Sequence, residues 1–171
     1  ITSGSGFWLT SEGHFVTSYR VLQPALSARL RGLINEEVQK LPVTTTISAG
    51  GQTYDFEDFI AIDPYSDLAI GKARVKQPFD ILPVVLLDRK GLGGLPVVIY
   101  EGKKSQGQIF EVDNRSIYVK AEVQNGYSGS AICSEGRLVG ILCSRGEEDT
   151  LVGVHATYLK DLIERYCVNK K

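Results

Sequence analysis

Short β-forming runs broken by glycine-bearing turns constrain this chain more than any other feature. Its 171 residues include 18 glycines. Between them lie apolar and β-branched runs at 7–10, 14–17, 43–47, 59–62, 68–70, 96–100, 108–112, 116–119, 131–133 and 138–142. Such residues suit a pleated, half-buried backbone. Ser11-Glu12-Gly13 and Ser134-Glu135-Gly136 sit between adjacent runs and read as hairpin turns. Many short strands joined by turns predict an all-β sandwich or barrel.

Two segments keep a helical period instead. Leu26, Leu30, Leu33, Ile34, Val38 and Leu41 recur between Pro24 and Pro42. This predicts a short helical insert bounded by the two prolines, with Gly32 as its weak point. Tyr158, Leu159, Leu162, Ile163 and Tyr166 predict an amphipathic C-terminal helix over 158–167. Both stripes read as core-packing faces, and the first has a partner-facing insert as its alternative.

Hydrophobic residues make up 43% and charged residues 23% of the chain, which excludes disorder over most of it. Its length suits one domain, or two small halves sharing a core. The net charge of −1, with no basic run, predicts no nucleic-acid partner. No stretch reaches the roughly 18 apolar residues of a membrane span, so no membrane partner is expected. Cys133, Cys143 and Cys167 are odd in number and lack metal-ligand spacing. They predict no zinc, no other cofactor and an intracellular setting. The chain begins at Ile1 without a signal-peptide pattern, as a mature product or an excised domain would.

Three segments carry candidate chemistry. Gly126-Tyr127-Ser128-Gly129-Ser130 puts a serine in a tight loop between glycines, although alone it reads as a plain Gly-Ser turn. Asp63-Pro64-Tyr65-Ser66-Asp67-Leu68-Ala69-Ile70 offers two carboxylates ahead of an apolar strand, either of which suits a turn cap. Val16-Thr17-Ser18-Tyr19-Arg20-Val21-Leu22 ends a strand on a cation. Read in order with Gly4-Ser5-Gly6-Phe7, Gly136-Arg137-Leu138-Val139-Gly140-Ile141 and Val152-Gly153-Val154-His155, these segments resemble the trypsin-like (chymotrypsin-fold) serine proteases. The compact, bacterial HtrA-like members are the nearest in style. The resemblance runs from Ser3 to about Tyr166.

That resemblance implies two antiparallel six-stranded β-barrels with the active site between them. The first would end near residue 80, the second would span 82–157, and the terminal helix would pack back on both. It also implies Ser128 as nucleophile and Asp67, rather than Asp63, as the carboxylate that orients the base. The amides of Gly126 and Ser128 would form the oxyanion hole. Arg20 falls where the family has its histidine. A guanidinium has only donors and a pKa above about 12, so it cannot take the serine proton near neutral pH. It is expected to pair with Asp67 as a fork, leaving Ser128 without a base.

Neither histidine replaces the missing base. His14 opens the strand leading to Arg20 and is expected to point away from Ser128, while His155 maps onto the wall of the substrate pocket, with a core position as its alternative. No lysine has a motif that would make a Ser–Lys dyad. Glu122, six residues before Ser128, maps onto the pocket floor, and Ser144 and Arg145 onto its rim. Glu122, His155 and Arg145 favour different side chains, so no specificity follows. Tyr127 stands where zymogen-type relatives carry the aspartate that pairs with a freed N-terminal Ile, so Ile1 is not read as an activation terminus. The expected partners are peptides or proteins, held extended along a strand edge. Two functions follow: a serine endopeptidase silenced at its base, or a pseudoprotease that binds peptides. A structural β-domain without a peptide groove is the third alternative.

Overall fold

The computed structural model describes residues 3–34, 45–78, 85, 91–100, 104–123, 126–147 and 149–167. Eleven strands and two helices form in these segments. Strands β1 (Gly6–Trp8), β2 (His14–Ser18), β3 (Thr46–Ala49), β4 (Gln52–Asp63) and β5 (Leu68–Ala73) make one antiparallel sheet in the order β1-β2-β5-β4-β3. Strands β6 (Pro96–Tyr100), β7 (Lys104–Val112), β8 (Ser116–Ala121), β9 (Ala131–Ser134), β10 (Arg137–Arg145) and β11 (Thr150–His155) close into a six-stranded barrel. Helix α1 spans Tyr19–Ile34 and helix α2 spans Ala156–Cys167.

The second half therefore forms the expected closed barrel, but the first does not. Among the described residues it is a five-stranded sheet whose edge strands, β1 and β3, do not meet. β1 has only three residues, too few to carry a second full ladder, and β3 has four. The strand expected over 43–47 appears only as Thr46 and Ile47 of β3; residues 43 and 44 lie outside the described segments.

The alternation of side chains places the core. In β2, Phe15 points to one face and Val16 to the other. In β5, Leu68 and Ile70 face the barrel side while Ala69 and Ala73 face away. The sheet is thus buried on both sides. On the far side, Phe15 and Leu22 pack with Trp8, Tyr54, Phe56 and Phe59. On the near side, Val16, Leu68 and Ile70 meet Ile141 and Val154 of the barrel and Leu159 and Leu162 of α2. This second cluster joins sheet, barrel and helix, and it holds the two halves in register. A separate cluster, including Ile99, Ile109, Ile117, Val119, Ile132 and Leu142, fills the barrel interior.

Helix α1 departs from expectation at its start. It begins at Tyr19 and not after Pro24, so Pro24 lies inside it. Proline removes an amide and crowds the carbonyl four residues earlier, here that of Arg20. The helix nevertheless starts early because its first amides find acceptors outside it. The Tyr19 amide donates to the Asp67 carbonyl at 3.0 Å, and the Arg20 amide donates to Asp67 Oδ1 at 3.0 Å. The cap comes from the β4–β5 turn, out of reach of any local sequence pattern. Val38, Leu41 and Pro42, which completed the expected helical stripe, lie outside the described residues.

Candidate active site

Ser128, Asp67 and Arg20 come from three elements that the shared core brings together. Ser128 sits in the loop between β8 and β9, Asp67 closes the β4–β5 turn, and Arg20 lies in the first turn of α1. Gly126 and Gly129 on either side of Ser128 have φ of 84° and 95°, a region that L side chains rarely enter. Gly129 also needs to lack a side chain: an added Cβ would run into the Ser5 carbonyl and lie 2.6 Å from Thr17 Oγ1. The loop is tied to the chain's start. The Ser5 amide donates to the Ser128 carbonyl at 2.8 Å, Ser5 Oγ donates to the Gly126 carbonyl at 2.7 Å, and Thr17 Oγ1 donates to the Ser5 carbonyl at 2.7 Å. These ties fasten the barrel's serine loop to β2, the strand that leads to Arg20.

Asp67 has φ of 53°, a conformation that aspartate tolerates better than most residues. Its carboxylate accepts three hydrogen bonds. Ser18 Oγ donates to Oδ2 at 2.6 Å, Arg20 Nε donates to Oδ2 at 2.9 Å, and the Arg20 amide donates to Oδ1. The Arg20–Asp67 pair therefore forms, but not as a guanidinium fork, because backbone and side chain each supply one donor. The Arg20 side chain is 55% exposed and that of Asp67 15%, so the pair is open on the arginine's side. Asp63 does other work. Its Oδ1 accepts the amides of Tyr65 and Ser66 at 3.1 and 3.3 Å, capping the turn that presents Asp67.

Ser128 Oγ donates to the Cys143 carbonyl at 2.9 Å. No basic nitrogen meets the hydroxyl among the described residues. Neither the Gly126 nor the Ser128 amide donates to a described residue. The Cys143 thiol is buried beside this group. Burial pushes its pKa up to about 12, and the nearby Asp67 charge adds to the rise.

His14 opens β2 opposite Lys72, and its Nδ1 lies 2.7 Å from Thr10 Oγ1 within the β1–β2 hairpin. His155 ends β11 at the start of α2, where its Nδ1 accepts the Thr157 amide at 3.1 Å and so caps the helix. Glu122 is exposed in the segment after β8. Ser144 is half-buried near the end of β10. Arg145 ends that strand and reaches back over the serine loop, with its guanidinium 5.6 Å from the Tyr127 ring centre and Nη2 donating to the Val123 carbonyl at 3.3 Å. Sequence reasoning missed Ser18, Ser5 and Thr17. The first two are small hydroxyls in ordinary-looking turns and strands, and only the fold gives them partners. Among the described residues no group of ligand-type side chains could hold a metal, and no helix is long and apolar enough to cross a membrane.

Comparison with known proteins agrees with this fold. The family model described as "Trypsin-like peptidase domain" matches residues 4–141. No curated protein matches the chain. Among solved structures, the active form of the Rv3671c protease of M. tuberculosis is 17% identical, with a TM-score of 0.71 over 97% of this chain and 74% of that one. Its inactive form gives 17% and 0.70, over 97% and 84%. The serine endoprotease of Yersinia pestis is 19% identical, with a TM-score of 0.72 over 96% of this chain and 57% of that one. At these identities the structural matches speak for the fold. The match over most of the chain's length decides the family: this chain belongs to the trypsin-like peptidase domain family.

Proposed function

We propose that this chain is a trypsin-like serine endopeptidase domain silenced at its general base. In this reading Ser128 is the nucleophile, the amides of Gly126 and Ser128 are the oxyanion donors, Asp67 is the orienting carboxylate and Arg20 occupies the place of the base. One observation carries it: the carboxylate that would orient a base is bonded to Arg20, while the Ser128 hydroxyl donates to a backbone carbonyl. A serine hydroxyl attacks an acyl carbon only when a base accepts its proton. Arginine has no lone pair to offer. Loss of the base costs on the order of a million-fold in turnover, and the oxyanion donors alone retain about a thousand-fold over water. The ligands are peptides or proteins.

A second reading, a peptide-binding pseudoprotease, gains from the completeness of the Asp67 arrangement. Three donors satisfy this carboxylate, and Arg20 Nε takes the place on it that an imidazole nitrogen would use. Arg20→His separates the two. A maintained endopeptidase site regains covalent labelling of Ser128 by a fluorophosphonate, and the labelling vanishes when Ser128→Ala is added. An Arg20→His protein that folds by circular dichroism yet takes no label overturns the endopeptidase reading in favour of the binding module.

A further inference from the structure

In the reading above, a donor stands where the family has an acceptor, which changes what the site can hold and not only what it can cut. Arg20 uses its amide and Nε on Asp67, so four guanidinium N–H groups remain without a partner among the described residues. Asp67 is the acid bonded to this arginine, and its carboxylate accepts three hydrogen bonds, one from Ser18 and two from Arg20. The amides of Gly126 and Ser128 add two further open donors among the described residues. The fold brings together the two segments that carry these donors. Gly4 is wedged between the Val21 side chain and the Ser128 carbonyl, and a Cβ on Gly129 would lie 3.0 Å from the Ser18 amide. The segment 18–21, which carries Arg20, therefore lies directly against the serine loop. A second cation, Arg145, lies over Tyr127 on the same loop. The acids nearest in sequence on that side, Glu122 and Glu147, are both exposed.

We propose that the cleft between Arg20 and Ser128 is a receptor for the terminal carboxylate of a peptide, a product-like ligand. This rests on the reading above that the Gly126 and Ser128 amides are the oxyanion donors. A carboxylate brings two acceptor oxygens and a negative charge to a site made of donors and cations. A peptide amide brings one acceptor oxygen and no charge, so it gives the guanidinium and the two amides less to bond. Charge-assisted hydrogen bonds to a carboxylate are also the stronger kind.

The test is nitrogen-15 NMR of the unaltered protein, titrated with N-acetylated tetrapeptides ending in Ala, Leu, Phe or Arg. Each is offered as the free acid and as the C-terminal amide, with a third set of amides carrying an internal Glu. The expected result is at least about tenfold tighter binding of the free acids, weakened by salt, with shifts at the Gly126 and Ser128 amides. Arg20→Gln should bring acid and amide to parity, and Arg20→Lys should keep part of the preference. Equal binding of acid and amide by the unaltered chain overturns the carboxylate receptor while leaving a peptide cleft. Binding of the internal-Glu amides as tightly as the free acids overturns the terminal source. No shift with any peptide overturns the receptor outright, whereas labelling of Arg20→His reports separately on the endopeptidase reading. Should Arg20→Gln fail to fold, the acid–amide comparison on the unaltered chain still decides.

Discussion

At the scale of residues, the serine loop depends on what Gly129 lacks. Its φ of 95° and its closeness to Thr17 Oγ1 leave no room for a methyl group. Gly129→Ala should destabilise the fold by about 2–4 kcal/mol, combining backbone strain with displacement of the Ser5 carbonyl. Urea unfolding checks this, and a loss below about 0.5 kcal/mol would mean that the loop is not pinned there. The residue scale is also where the sequence was most informative about identity and least about contact. Glycines flanking a serine, and an aspartate leading an apolar strand, were visible as local strings. That Ser18 Oγ bonds Asp67 Oδ2 was not, because the partners are 49 positions apart. The choice between Asp63 and Asp67 likewise needed the turn itself, in which Asp63 accepts amides of its own segment and Asp67 faces outward to α1.

At the scale of elements, legibility followed locality. Strand β6 and the β9–β10 hairpin were plain because a continuous β-branched run and a Gly turn are local signals. The β3–β4 hairpin was missed, although Gly50 and Gly51 carry φ of 57° and 79° and form a tight turn between the strands. Helix α1 was misplaced because its cap lies on another element. The β7–β8 turn is self-contained by comparison. Asp113 Oδ1 accepts the amides of Arg115 and Ser116 at 2.9 and 2.7 Å, and its Oδ2 accepts Tyr118 Oη at 2.9 Å. The backbone bonds, first that from Arg115, hold its carboxyl below the ordinary value of 3.8. A lowered carboxylate pKa stabilises the fold above the unfolded value, and that contribution is lost as pH falls through the folded one. Asp113→Asn should therefore flatten the acid limb of a stability–pH curve below about pH 4. Parallel acid limbs for the two proteins would show that the turn does not sense the charge.

At the scale of the whole molecule, the open sheet and the closed barrel behave as one body through the cluster that joins them to α2, and Cys143 lies in that cluster. Arg115 adds a polar tie between the halves. It stacks over Tyr158 of α2 at 5.1 Å and donates to Ser66 Oγ at 2.9 Å, next to Asp67. The candidate site thus sits on a seam whose integrity depends on the core behind it. This gives alkaline pH a definite effect. Burial first, and then the Asp67 charge, raise the Cys143 thiol from 9.0 to about 12. The folded state therefore keeps a proton that the unfolded chain gives up. The contribution is whole below about pH 9 and is lost as pH climbs from about 9 towards 12. A shift of this size corresponds to a few kcal/mol at most. Because the thiol lies where sheet, barrel and helix meet, the loss should be felt by all three at once. Far-ultraviolet circular dichroism and Trp8 fluorescence should then report a single midpoint that falls as pH rises from 9 to 11, more steeply than in Cys143→Ala. Comparing the slopes separates ionisation from the small packing loss of the substitution, which displaces the curve without tilting it. Identical slopes would show that the seam does not sense this thiol's ionisation, and separate midpoints for the two probes would mean that the halves unfold independently.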